Sequence, residues 1–184
     1  IDTEEKEESV DNSKTEQNGI ITNSMSVSKY VGTYKGEKGT DSIIINGDFN
    51  DGTTGWSRES GAGSMSVIEG ENNYLAYTGR WNQWSTVNRV ITGEFVEIGK
   101  ITVTADIYSA DPSVQRAQID VQYTDENGTV QTMEQSTAIT SGQWCTVTGM
   151  FTLPIDVSEV TIRIGTRGPA WDYAGDYCLD NVYA

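Results

Sequence analysis

From Ile43 onward the chain is a succession of short runs in which apolar and polar residues alternate, cut by Gly, Asn, Asp or Pro at intervals of roughly 8–12 residues. Successive side chains of a strand point to opposite faces, so a period of two means half-buried β-structure. No run carries the periodicity of a long amphipathic helix. In Ile101–Tyr108 the alternation puts Ile101, Val103, Ala105 and Ile107 on a core face, with Thr102, Thr104, Asp106 and Tyr108 in water. In Arg116–Tyr123 it puts Ala117, Ile119, Val121 and Tyr123 inside and the hydrogen-bonding arms of Arg116, Gln118, Asp120 and Gln122 outside. Over 157–165, Val160, Ile162 and Ile164 face in while Thr161, Arg163 and Gly165 face out. Asp125-Glu126-Asn127-Gly128 reads as a hairpin turn, Asn and Gly both tolerating positive φ. Further strands are expected over 84–91, 130–135, 144–153 and 176–183. The sum is an all-β chain of about eight to eleven strands, most simply a β-sandwich jelly roll of two antiparallel sheets.

The 184 residues suit one domain with a short appendage. Residues 1–19 hold Glu4, Glu5, Glu7, Glu8, Asp11 and Glu16 with only Ile1 and Val10 as sizeable aliphatics, too little apolar surface to offset the entropy of ordering. That stretch reads as an acidic linker or leader without the features of a signal peptide. Residues 20–42, with Met25, Val27, Tyr30, Val31 and Tyr34, read as an extended segment packing on the domain, which itself spans 43–184.

Charge and histidine narrow the function. With 27 acidic residues against 12 basic the net charge is −15, which disfavours nucleic acid and anionic membranes, and no apolar run is long enough to span a bilayer. A neutral partner fits better. The chain has no histidine, so it lacks Ser-His-Asp and Cys-His catalysis and the usual zinc ligands. The stretch 93–101 has the wrong spacing for a phosphate-binding loop. Cys145 and Cys178 fall in two different expected strands. Bonded, they would imply an oxidising compartment; reduced, they are small core residues.

The five tryptophans carry the most specific signal. Trp56 and Trp144 read as residues that simply pack in the β core. Trp81 and Trp84 stand in Arg80-Trp81-Asn82-Gln83-Trp84, and Trp171 in Gly168-Pro169-Ala170-Trp171-Asp172-Tyr173. A pyranose ring has an apolar C–H face fringed by hydroxyls, so its natural host is a flat aromatic ring flanked by Arg, Asn, Gln or Asp. Since Val87 and Ile91 point to the core, Trp84, Thr86 and Asn88 are sent to the opposite face, and Trp84 is expected in solvent. Trp81 and Trp171 serve equally well as ligand platforms or as caps on the ends of the sandwich.

In their order along the chain, INGDFNDGTTGW at 45–56, RWNQW at 80–84, SGQWCTVTGMFTLP at 141–154 and DYCLDNV at 176–182 resemble the carbohydrate-binding modules of families 4, 9 and 22, most closely the family 22 xylan-binding modules of bacterial xylanases. The resemblance implies a non-catalytic, calcium-containing β-sandwich whose cleft stacks a xylan chain on aromatic rings. It also implies an extracellular or cell-surface bacterial setting, a monomer, and a covalently linked catalytic domain. Carried over by position, Trp84 matches the stacking tryptophan, Arg80 the arginine that precedes it, and Arg58 an arginine after the Gly-Trp pair. Where the family has a Tyr-x-Glu pair, this chain has Arg163-Ile164-Gly165, so Arg163, Trp171 and the Gln118-Asp120-Gln122 row are expected to take over. A structural calcium is implied on side chains of Asn50, Glu71 and Asp180 with backbone oxygens of Asp48 and Asn73, an oxygen set suited to Ca²⁺. Two other classes stay open. Abundant acidic pairs permit a small glycan-active hydrolase or lyase, and an all-β domain also suits surface adhesion. Xylan and mixed-linkage glucan are not separated by these residues.

Overall fold

The computed structural model describes residues 42–59, 63–92, 100–153, 157–170 and 175–184. The acidic stretch 1–19, the segment 20–42 except Ser42, and Trp171 lie outside the described residues. Ten strands are described: β1 (Trp56–Arg58), β2 (Ser64–Ile68), β3 (Tyr74–Thr78), β4 (Val87–Thr92), β5 (Lys100–Tyr108), β6 (Arg116–Thr124), β7 (Val130–Ala138), β8 (Trp144–Thr152), β9 (Glu159–Arg167) and β10 (Tyr177–Tyr183). They form two five-stranded antiparallel sheets, β1-β4-β9-β6-β7 and β2-β3-β10-β5-β8. This is the jelly-roll sandwich that the alternation predicts. Among the described residues no helix is long and apolar enough to cross a membrane.

The core is what the period-two pattern dictates. Val87 and Ile91 of β4, Val160, Ile162 and Ile164 of β9, and Ala117, Ile119 and Val121 of β6 face Leu75, Tyr77, Ile101, Val103, Ala105, Ile107, Val147, Phe151, Tyr177 and Leu179 from the second sheet. Tyr177 ties the layers together: its hydroxyl donates to the Ile164 carbonyl (2.6 Å) and accepts the Val87 N–H (3.1 Å). At the β7–β8 edge Gln135 exchanges two hydrogen bonds with the Met150 backbone (2.5 and 3.0 Å). Trp56 and Trp144 are both buried, as expected. Trp56 packs on Phe49 and donates to the Asn46 carbonyl (2.8 Å), while Trp144 lies between Tyr74 and Tyr108 on the outer side of the second sheet.

Several expectations are corrected. The β6–β7 hairpin forms, but only Gly128 has positive φ (79°); Asp125 closes the turn by accepting the backbone N–H groups of Asn127 and Thr129 on its carboxylate. The outer faces are not simply wet, since Thr104 and Asp106 of β5 and Gln118 and Asp120 of β6 are all buried. These positions lie on interior strands of five-stranded sheets, where long neighbouring side chains close over them. The choice left open for Cys145 and Cys178 falls against a disulfide between them. Cys145 pairs in register with the core-facing Ile107 and Cys178 with the outward Tyr108, so they lie on opposite faces with β5 between them. Two strand spacings of ~4.8 Å exceed the Cα separation a disulfide allows.

Candidate functional site

In antiparallel pairing, residues directly opposite share a face. The register therefore lays out the outer side of the first sheet in rows. Ser136, Gln118 and Gly165 form one, and Glu134, Asp120, Arg163 and Asn88 the next. Thr132, Gln122, Thr161 and Val90 form a third, and Arg116 lies opposite Arg167 at the end nearest the β3–β4 loop.

That loop carries the two exposed tryptophans found among the described residues. Trp81 is 70% exposed and Trp84 39%. Trp84 sits in a turn three residues before β4 rather than on a strand, yet it stands in solvent as expected. Its backbone is held by Asn82, whose Oδ1 accepts the N–H of Trp84 (2.8 Å) and of Ser85 (3.1 Å), and its carbonyl accepts from Arg163 (3.3 Å).

Arg80 is what fixes the loop. Only 6% exposed, it donates to the carbonyls of Ser85 (2.8 Å), Gln83 (3.2 Å), Thr166 (3.2 Å) and Gly175 (2.6 Å) and to the Thr166 hydroxyl (2.7 Å). Its guanidinium also lies 4.8 Å over the Tyr177 ring. The expectation that Arg80 meets a ligand is corrected on this point: every group it offers is taken up by protein acceptors inside the fold. Arg58 is corrected as well. It pairs with the core-facing Val87, so it leaves the sheet edge on the side away from Arg163 and Asn88, and its charge is felt by Tyr77.

The row Gln118-Asp120-Gln122 does face outward, but its first two members are 2% and 1% exposed. Gln118 donates to Asp120 Oδ1 (2.5 Å) and accepts from Arg167 Nε, while Arg167 reaches Glu134 (3.1 Å) and lies 4.7 Å over the Trp84 ring. Among the described residues, none is a hydrogen-bond partner for Asp120 Oδ2. Burial lifts this carboxyl to about 6, with Glu134 adding to the effect and Gln118, Arg163 and Arg167 opposing it. Gln122 is half-buried and donates to Thr132 (3.0 Å). Arg163 bonds Thr86 (3.2 Å) and pairs with Glu59 (3.3 Å). The face thus holds Arg116, Arg163 and Arg167 against Glu59, Asp120 and Glu134, a balanced set on an otherwise acidic chain. Fixed donors and acceptors beside a flat ring suit a neutral polyhydroxylated ligand.

Gly165 accounts for the departure from the Tyr-x-Glu pattern. A Cβ there would stand 3.0 Å from Thr86 Cγ2 and 3.8 Å from the Gln83 carbonyl, so the packed loop occupies the room a side chain would need.

The residues named for calcium are brought together in part. Asn50 donates to Asp48 Oδ2 (2.9 Å) and accepts from Asn73 on its Oδ1 (3.3 Å), so the β2–β3 turn, with Glu71 exposed on it, meets the oxygen-rich turn that precedes β1. Gly47 joins that turn to β10 by accepting the Val182 N–H (2.9 Å). Asp180 is fully buried on β10 opposite Asp106, whose carboxyl burial pushes well above the ordinary range while Thr146 and Asn181 oppose the shift. The donor chemistry fits a hard cation, but among the described residues no three acidic, histidine or cysteine side chains gather closely enough to hold one.

Comparison with known proteins decides the family. A family model described as a carbohydrate binding domain, of the family 4 and 9 type, matches residues 41–172. The chain belongs to that family. As a carbohydrate-binding domain it is a binding module rather than an enzyme. No curated protein matches it in sequence. Among solved structures it is similar to a xylan-binding domain of family 22 (15% identity, 78% of this chain and 94% of that one, TM-score 0.62). It is likewise similar to the second family 22 xylan-binding domain of Paenibacillus barcinonensis xylanase 10C (16%, 73% and 94%, 0.62). A Clostridium thermocellum xylanase 10B fragment, family 22 module plus catalytic module with xylohexaose, matches at 12% identity and TM-score 0.61. There the match covers 71% of this chain and only 26% of that one. At such identities the likeness establishes the shared sandwich.

Within this carbohydrate-binding domain, sequence reasoning missed Arg167, Glu134 and Glu59. Arg167 was within reach, since 163, 165 and 167 share a face by alternation. Glu134 required the β6–β7 register, and Glu59 required the fold of the β1–β2 connection.

Proposed function

We propose that this carbohydrate-binding domain holds a β-linked plant polysaccharide, xylan first, on the outer side of the β1-β4-β9-β6-β7 sheet, and that it targets a covalently linked glycoside hydrolase to that polymer outside the cell. One observation carries the reading. Two tryptophans, Trp81 and Trp84, stand in solvent on a loop that Arg80 nails to the sandwich, beside a charge-balanced polar face. Leaving an indole in water forgoes roughly 1.5–3 kcal/mol that a covering ligand would recover. Trp84 offers the stacking surface, Trp81 extends it, and Arg163 and Gln122 are the polar groups beside it. The ligands of the similar structures, xylan and xylohexaose, support xylan as the first polymer to test.

Affinity electrophoresis in gels containing xylan, mixed-linkage glucan or mannan tests this directly. Retardation in xylan without release of reducing sugar is expected, and Trp84→Ala should abolish it while the melting temperature stays nearly unchanged. Retardation in no glycan would overturn the reading. Calcium is part of the proposal as a structural ion on Asp48, Asn50 and Asn73, with Glu71 and Asp180 as the further acids. The oxygen-rich turn joined to β10 supports it.

A further inference from the structure

The residue that lies against the Trp84 ring comes from the sheet. Arg167 ends β9 on the outer face, and its guanidinium lies 4.7 Å over the indole. Two other side chains hold that guanidinium. Gln118 accepts from Nε, and Glu134 accepts from Nη2 at 3.1 Å. Gln118 is itself held by Asp120 at 2.5 Å, in a row only 1–2% exposed. Three strands therefore converge on one planar cation, β6 through Gln118, β7 through Glu134 and β9 through Arg167 itself. The guanidinium covers one side of the indole, and the 39% exposure of Trp84 belongs to the remainder of the ring.

We infer that Arg167 is a positioning residue, a cation–π pedestal that holds the Trp84 indole with its open face presented to the ligand. This inference rests on the sugar-binding reading for its consequence but not for its geometry. It gives the buried polar row a different part from the one expected of it. Gln118 and Asp120 fix the pedestal and do not touch the sugar. A tryptophan on a turn otherwise turns freely about χ1 and χ2, and freezing such a side chain on binding weakens affinity. A guanidinium stacked on an indole is planar, always charged and pre-organised by its fork, which an ammonium does not reproduce.

The test uses the whole chain labelled with 5-fluorotryptophan, the Trp84 ¹⁹F resonance being assigned by its loss in Trp84→Phe. Arg167→Ala is expected to shift that resonance in the ligand-free protein and to weaken xylohexaose binding about tenfold by calorimetry. Arg167→Lys should remain roughly threefold weaker than wild type. In a Trp84→Leu background, which leaves no aromatic ring for the cation, Arg167→Ala should change the residual affinity by less than about twofold. Lys100→Ala, which removes an exposed cation from β5 in the other sheet, should leave both resonance and affinity unchanged. An unmoved Trp84 resonance in Arg167→Ala, or affinity equal to or tighter than wild type, overturns the inference. If the wild-type protein binds no xylohexaose the polysaccharide reading is in question, and the ligand-free resonance still decides for or against the pedestal.

Discussion

Replacing Arg80 with methionine removes one guanidinium while keeping most of the apolar stem. The carbonyls of Gln83, Ser85, Thr166 and Gly175 would then sit inside the fold without that donor. Each hydrogen bond to a charged group is worth ~1.5–3 kcal/mol, but bonds to one group do not add, and the largest single-residue losses rarely exceed ~4–5 kcal/mol. A loss of roughly 3–5 kcal/mol is therefore expected. For a domain of this size each kcal/mol moves the melting temperature by roughly 3–4 °C, so Arg80→Met should melt roughly 10–20 °C below wild type by circular dichroism. Affinity for xylohexaose should fall too, since the loop bearing Trp81 and Trp84 loses its anchor. A ligand-contacting arginine gives a different signature, lost affinity with unchanged melting. That outcome, with the melting temperature within about 3 °C of wild type, would refute the anchor.

Burial raises the Asp120 carboxyl to about 6 from 3.8, so the folded protein holds that proton more tightly than the unfolded chain. The associated stability is fully present below about pH 4 and is lost as pH rises through 6, which makes Asp120→Asn more stable than wild type at pH 8 by up to about 3 kcal/mol. The gain should vanish toward pH 4 in denaturant titrations, and a pH-independent difference would count against the buried charge. Gly165→Ala places a Cβ at 3.0 Å from Thr86 Cγ2 and should cost roughly 1–2 kcal/mol, with Gly165→Glu worse and not a route to the family's usual glutamate contact. A melting temperature equal to wild type in Gly165→Ala would show that the loop yields freely. Calcium at a hundred times its dissociation constant should stabilise by about 2.7 kcal/mol, and Asn50→Asp should enlarge the effect. Indifference of both forms to a chelator would end the calcium proposal.

The architecture was legible because burial on a sheet is written in alternation. Ile101, Val103, Ala105 and Ile107, or Val160, Ile162 and Ile164, needed no partner to declare their face, and the sandwich places each in the core. What alternation does not record is the depth of cover on the other face. Asp106 and Asp120 alternate like exposed residues yet are buried, because their strands are interior and the neighbours' long side chains close over them. The pairing order that creates that cover links β6 to β9 and β5 to β10, contacts far apart in the chain. A local pattern contains no term for them.

The site shows the same division at finer grain. Trp84 was legible as a solvent-facing ring because its neighbours in β4 announce their own direction. Its supports were not, since a guanidinium can serve a ligand, a carboxylate, a ring or a set of carbonyls, and spacing does not choose among these. Arg80, four residues before Trp84, turned inward because Thr166 and Gly175 offer carbonyls and a hydroxyl around a gap that only a long cationic arm fills. Arg167, far along the chain, meets the ring because β9 lies next to β4 and ends beneath the loop. The arginine that looked like the ligand contact is thus the one that builds the loop. The ring it delivers is steadied by another arginine, which alternation places on the ligand face but only the tertiary fold places under the indole.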